Sequence, residues 1–217
     1  MRRKIYVVGD ATDYANWMDG DLVYKLEDAD LVVFTGGADI TPAIYNEPKH
    51  PKTFFIWERD KREMAAFKRA LRLKKHMIGI CRGAQFLCVM NGGKLVQHQE
   101  NWNYFHKIYT HDGQTFRITS EHHQAMYPFN LPTNEYKILA RSKEQSKFHL
   151  DGNMKELKFG KEECEIVYFP RIKSLGIQGH PEWINRHSFD PIEESAKHTT
   201  LPYLQDLLDK HMEDAII

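Results

Sequence analysis

The chain has 217 residues, 41% of them apolar and 28% charged, and its 30 basic side chains are matched by 30 acidic ones. That length suits one α/β domain, residues 1–217, large enough for a buried sheet with helices on both faces. The charge balance excludes a global basic field for nucleic acid and an acidic tail, and no apolar run approaches the roughly eighteen residues of a membrane span.

The chain opens with basic Met1-Arg2-Arg3-Lys4, but the apolar run 5–8 is too short for a signal-peptide core and reads as a strand. A second strand, 31–34, ends at Gly36-Gly37. Met64, Phe67 and Leu71 recur at helical spacing and predict a helix over 59–73, with Arg59-Asp60 as its solvated first turn or, as the less favoured reading, part of the substrate mouth. A strand over 76–80 leads into a helix that runs to Asn91-Gly92-Gly93. Trp102, Tyr104 and Phe105 then form an aromatic cluster suited to core or rim packing. Short strands follow at 116–119, 136–140, 165–169 and 175–178, with a hairpin or surface excursion over 148–160. Residues 185–197 read as a polar loop, and 201–212 as an amphipathic helix with Thr200 as cap and Pro202 in its first turn. The strand–helix–strand order predicts a three-layer α/β/α fold with a mostly parallel central sheet and its site at the carboxyl edge.

The chemistry starts at Met77-Ile78-Gly79-Ile80-Cys81-Arg82-Gly83-Ala84-Gln85, where an apolar run enters Gly-x-Cys-x-Gly and a helix follows. This order describes a nucleophile elbow at a strand C-terminus, with sulfur in place of the serine oxygen. The flanking glycines let strand and helix pack closely, and the helix N-terminus favours thiolate. Downstream, Ser174-Leu175-Gly176-Ile177-Gln178 ends in Gly179-His180-Pro181-Glu182-Trp183. His180 is a candidate base just past a strand end, and Glu182 can hold its imidazole in one tautomer. Of the other cysteines, Cys88 lies two turns after Cys81 on a packed helix face, and Cys164 reads as a strand-edge or loop thiol. Three cysteines show no paired metal-ligand spacing and suit a reducing, cytoplasmic setting. His122 and His123 are adjacent on an extended segment, so they point to opposite faces, and no metal is expected.

Gly79-Ile80-Cys81-Arg82-Gly83-x-Gln85 together with Gly179-His180-Pro181-Glu182 resembles the class I glutamine amidotransferase-like superfamily. Within it, the chain looks most like the γ-glutamyl-γ-aminobutyrate hydrolase (peptidase C26) branch. The resemblance extends to Thr35-Gly36-Gly37-Ala38-Asp39-Ile40-x-Pro42-x-x-Tyr45, Glu58-Arg59-Asp60, Asn91-Gly92-Gly93-Lys94-Leu95-Val96-Gln97 and Ser120-Glu121-His122-His123-Gln124. Arg82 is itself a marker of that branch. One position departs: members usually carry a bulky aromatic residue before His-Pro-Glu, and this chain has Gly179. The expectation from that change is a wider pocket or a looser histidine.

The resemblance implies a Cys81–His180–Glu182 triad that hydrolyses a γ-glutamyl amide through a thioester, with no cofactor. The backbone N–H groups of Gly37 and Arg82 would form the oxyanion hole, and Gln85, Ser120 and His122 would hold the glutamyl portion. Taken alone, Gly36-Gly37 reads more readily as a loop turn than as an oxyanion hole, and Gln85 as readily as a cover for the first helical turn. The substrate would be a small γ-glutamyl amine; the alternative is a glutaminase subunit that passes ammonia from glutamine to a separate synthetase. A non-catalytic binding module is the least favoured reading, because all three triad residues are present. A homodimer stays open.

Overall fold

The structure is a computed structural model that describes residues 2–100, 105–119, 121–143, 146–158, 162–184 and 191–216. In chain order its strands are β1 (Arg3–Val8), β2 (Gly20–Leu22), β3 (Leu31–Phe34), β4 (His76–Ile80), β5 (Lys94–Val96), β6 (His98–Gln99) and β7 (Phe105–Thr110). They continue with β8 (Thr115–Thr119), β9 (Ala125–Tyr127), β10 (Lys137–Ser142), β11 (His149–Leu150), β12 (Glu163–Phe169) and β13 (Ser174–Ile177). The α-helices are α1 (Trp57–Arg72), α2 (Arg82–Met90) and α3 (Pro191–Met212).

One sheet has the order β2-β1-β3-β4-β13-β12-β10-β7-β8. The pairings from β2 to β13 are parallel, and those from β13 to β8 antiparallel. The sheet is therefore mixed, with its parallel half around the strand that leads to Cys81. β3 and β4 lack polar–apolar alternation because both of their faces are covered. Val32, Phe34 and Met77 pack with Phe67 and Ala70 of α1 and Phe86 and Leu87 of α2. Leu31, Val33, Ile78 and Ile80 face the other layer, with Leu201, Leu204 and Leu208 of α3. Three layers result.

β7 escaped the apolar pattern because its inward positions include His106 and Thr110 as well as Ile108. Burial of His106 is made tolerable by Glu165, 2.9 Å from its Nε2. Residues 148–157 do form a tight excursion, in which β11 pairs with β6 and Leu157 N–H bonds the His149 carbonyl at 2.7 Å.

The C-terminal helix differs from expectation. It starts at Pro191, so 191–197 are helical and only 185–190, the rest of the expected loop, lie outside the described residues. Thr200 is a fully buried mid-helix residue, not a cap, and donates its hydroxyl to the Arg117 carbonyl at 2.7 Å. Pro202 sits inside the helix. A proline there removes a helical hydrogen bond at a cost of about 3 kcal/mol. The buried i, i+4 ladder Ala196, Thr200, Leu204, Leu208 offsets it, and that ladder was obscured by its polar member. Cys164 also departs from expectation: it lies in β12, buried with Cys88 in the core, because β12 is an interior strand of the sheet and all seven of its residues are buried.

Candidate active site

β4 runs between β3 and β13, with Gly79 opposite Phe34 on one side and Gly176 on the other. The three strand ends thus bring Gly36-Gly37, Cys81 and His180 to one edge. Cys81 turns the chain with φ 53° and ψ −111°, a strained conformation for a residue with a Cβ. Its N–H donates to the Ile177 carbonyl at 2.8 Å, and its carbonyl accepts from Ala84 and Gln85 at 3.0 and 3.1 Å, which starts α2. The flanking glycines are a packing requirement. A Cβ on Gly79 would collide with the Gly83 carbonyl, and one on Gly83 with the Phe34 carbonyl. Arg82 is the first residue of α2, where backbone N–H groups have no partner within the helix.

His180 lies past β13, in front of a short 3-10 turn over Pro181–Trp183. Its Nδ1 stands 2.7 Å from Glu182 Oε1. The ring stacks on Trp183, with centroids 3.8 Å apart and planes 4° from parallel. Burial alone would lower the imidazole pKa, but hydrogen bonds and charge from Cys81 and Glu182 outweigh it and raise the value to about 10. The histidine is also clamped through its backbone. Its N–H donates to the Thr119 carbonyl at 3.1 Å, and its carbonyl accepts the Thr119 hydroxyl at 2.6 Å.

That clamp corrects the expectation for Gly179. A Cβ there would meet Thr119 O at 2.5 Å and Ile118 Cγ1 at 2.6 Å. β8 fills the space, so the glycine lets a strand close on the histidine and neither widens a pocket nor loosens the ring.

Gly37 has φ +130°, a conformation that favours glycine, and Arg59 Nη1 fills the space its Cβ would occupy. Arg59 donates to Gly36 O at 2.7 Å and to Thr35 O and Oγ1 at 3.1 Å each. Its Nε pairs with Glu63 at 2.8 Å, and Glu63 and Asp60 both pair with the buried Arg82 guanidinium. Asp60 also accepts from Thr41 N at 3.0 Å. The expected solvated turn is therefore a buried ion network, with Asp60 fully enclosed. The signal lay in the spacing, since residues 59, 60 and 63 share one helix face. Tyr14 was not foreseen and has no motif around it; a Cβ on Gly36 would lie 2.5 Å from its hydroxyl and 3.1 Å from His180 Cε1. Burial, with the nearby Glu182 and Cys81 charges, pushes its phenol pKa upward.

Gln85 and His122 converge on one acceptor. Gln85 Nε2 donates to the Gln124 carbonyl at 2.8 Å, and His122 Nδ1 lies 2.8 Å from the same oxygen. His122 is buried, and burial lowers its pKa. His123 points outward and pairs with Asp39 at 3.2 Å. Ser120, and Trp102 and Tyr104 of the aromatic cluster, lie outside the described residues. Cys88 and Cys164 are held protonated by burial, Cys88 at about 12. Among the described residues no group of three His, Cys, Asp or Glu is placed to hold a metal ion.

The peptidase C26 family model matches residues 16–149, a stretch that contains Cys81 and stops short of His180. Protein NtpR of Enterococcus hirae is 28% identical over 181 residues, 72% of this chain and 68% of that protein. A glutamine amidotransferase-like protein of Lactococcus lactis subsp. cremoris, the YvdE homolog, is 44% identical over 69 residues, 31% of this chain and 37% of that protein. Among solved structures, a glutamine amidotransferase from Thermotoga maritima superposes with a TM-score of 0.61 at 16% identity, covering 98% of this chain and 99% of the other. PurLQS from the same organism gives 0.56 at 17% identity over 94% of this chain and 100% of the matched one. At these identities the structural likeness shows the fold. The family match covers more than half of the sequence, and the chain belongs to the peptidase C26 family, a glutamine amidotransferase-type cysteine hydrolase on the class I α/β fold.

Proposed function

We propose that the protein hydrolyses a γ-glutamyl amide of a small amine through a γ-glutamyl thioester on Cys81, as a single domain over residues 1–217. The observation that carries this reading is the strained elbow at Cys81, φ 53°, set against a buried His180 already paired with Glu182. His180 takes the Cys81 proton and the sulfur attacks the amide carbon. The oxyanion that forms accepts from the Arg82 and Gly37 peptide N–H groups, each such donor contributing about 3–4 kcal/mol in comparable sites. Collapse breaks the C–N bond, and the imidazolium gives its proton to the departing amine. Water, deprotonated by His180, then cleaves the thioester to release glutamate and free thiol. Gln85, Ser120 and His122 would hold the glutamyl portion, and Glu182 keeps the imidazole oriented. The three buried, free cysteines suit a reducing compartment such as the cytoplasm. Among the described residues no helix is long and apolar enough to cross a membrane.

A second reading is a glutaminase that serves a separate synthetase. It is favoured by the similar folds of PurLQS and of a GMP synthase component from Thermoplasma acidophilum, with TM-scores of 0.56 and 0.53. Product release by the purified chain separates the two, with glutamine, γ-glutamyl-aminobutyrate and γ-glutamylputrescine offered side by side and Cys81→Ala as blank. Rapid cleavage of a γ-glutamyl amine with slow glutamine turnover supports the hydrolase. Weak cleavage of all three, with glutamine no worse than the others, supports the synthetase-coupled glutaminase. Undiminished turnover by a folded Cys81→Ala would sink both.

A further inference from the structure

We propose that Arg59, Asp60, Glu63 and Arg82 form a single positioning unit that fixes the Gly37 and Arg82 peptides relative to each other, and so sets the shape of the oxyanion hole. The inference rests on the γ-glutamyl thioester reading. The side chains of Asp60, Glu63 and Arg82 are at most 3% exposed, and that of Arg59 is 21% exposed. Four charges gathered in the interior are a poor device for stability, because well-packed apolar residues of similar volume serve a fold at least as well. What charges supply is direction: a planar guanidinium accepts partners only in its own fork.

The bonds form one continuous path between the two proposed donors. Arg59 grips Thr35 and Gly36 through Nη2, while its Nη1 lies behind Gly37 in the space a side chain would fill. Its Nε is held by Glu63, whose second oxygen holds Arg82, the residue that follows Cys81. Arg82 in turn is held by Asp60, and Asp60 grips Thr41 at the far end of the same loop. Both ends of the 35–41 loop and the elbow are thus tied to the first two turns of α1 (Trp57–Arg72). None of the four carboxylates and guanidiniums needs to touch substrate for this; each acts through a backbone it holds.

The test compares two reagents that alkylate the Cys81 thiolate with loss of halide. Iodoacetamide reacts by direct displacement and needs no oxyanion hole. A glutamyl chloromethyl ketone reports the hole, because its carbonyl must enter it. Arg59→Lys is the lead variant, since Arg59 reaches the surface and lysine keeps the charge without the fork; Glu63→Gln repeats the test from the centre of the path. A displacement of about 1 Å in a reacting geometry costs on the order of 10²-fold. The expected result is therefore a drop of about ten- to a hundredfold in kcat with KM little changed, matched by a similar loss in chloromethyl ketone inactivation, while iodoacetamide alkylation stays within about twofold. Iodoacetamide reactivity falling in step with kcat would overturn the inference, because the network would then only support the elbow. Wild-type kinetics in both variants would overturn it as well. Hydrolysis by the wild type and its loss in Cys81→Ala check the underlying reading in the same samples, so a fully active Arg59→Lys would count against the positioning unit alone.

Discussion

Cys81 and His180 leave neighbouring parallel strands, yet they are held by different kinds of neighbour. The elbow is fixed by its own turn, with Gly79 and Gly83 in mutual contact and the Cys81 carbonyl starting its own helix, and by the adjoining parallel strands, where the Ile177 carbonyl accepts the Cys81 N–H and the Phe34 carbonyl abuts Gly83. The histidine is fixed by the antiparallel half of the sheet, where Thr119 of β8 bonds both its N–H and its carbonyl and Ile118 closes against Gly179. One member of the pair is held by its own turn and the parallel half of the sheet, and the other depends on how the antiparallel half packs. The proposed nucleophile and base therefore fail in different ways when the protein is altered.

The largest effect belongs to Cys81, the proposed nucleophile. Cys81→Ala should lower turnover by at least about 10⁴-fold without changing the circular dichroism spectrum. Next come the two glycine contacts, which set the parallel half of the sheet against the antiparallel half. Gly83→Ala drives a methyl into the Phe34 backbone carbonyl, which has no freedom to retreat, and should cost about 3 kcal/mol or more in urea unfolding. Gly179→Ala meets the Thr119 carbonyl and the flexible end of Ile118, so about 1–3 kcal/mol is expected, with part recovered in the Gly179→Ala/Ile118→Val double variant. No recovery would mean that the Thr119 carbonyl and the Cγ1 that valine keeps set the contact.

Thr119→Val sharpens the comparison with a smaller change. It removes the hydroxyl donor from the His180 carbonyl at about 1–3 kcal/mol, and should lower kcat severalfold with KM unchanged, the Cys81 elbow being untouched. Proton titration reads the same clamp. His180 has its pKa raised to about 10, above the 6.5 of the unfolded chain, so its pairing stabilises the fold below pH 6.5 and that contribution fades as pH rises through 10. The His180 Cε1 proton should keep its imidazolium shift through neutral pH in the wild type and titrate lower in Cys81→Ala; an unchanged midpoint would remove Cys81 as a source of the shift.

The effect that is smallest at neutral pH lies away from the site, at His211 of α3, whose Nε2 lies 3.0 Å from the Met77 carbonyl. Burial, then the His76 charge, pushes its pKa down to about 3, so it folds neutral. The unfolded chain binds a proton there below pH 6.5, and stability falls on acidification by at most about 1.4 kcal/mol per pH unit from this group. His211→Gln should flatten the acid limb of the unfolding midpoint plotted against pH.

Local patterning determined β3, β4, the elbow and the order in which Cys81, His180 and Glu182 occur, because each is specified by residues adjacent in sequence: apolar runs, glycines at a tight turn, a helix start. It also placed α1 to within two residues at its N-terminus and one at its C-terminus, from the spacing of Met64, Phe67 and Leu71. It missed the first turns of α3 and strand β7, whose buried faces carry Thr200 and His106, polar residues made acceptable inside only by Arg117 and Glu165 far along the chain. The same reason hid the ion network behind Gly37, the approach of Tyr14 and the purpose of Gly179. Motif residues announce chemistry because their types and spacing are fixed by it, whereas the groups that hold them in place are chosen by proximity in space, and only the packed sheet brings Ile118 and Thr119 to Gly179 or Arg59 to Gly37.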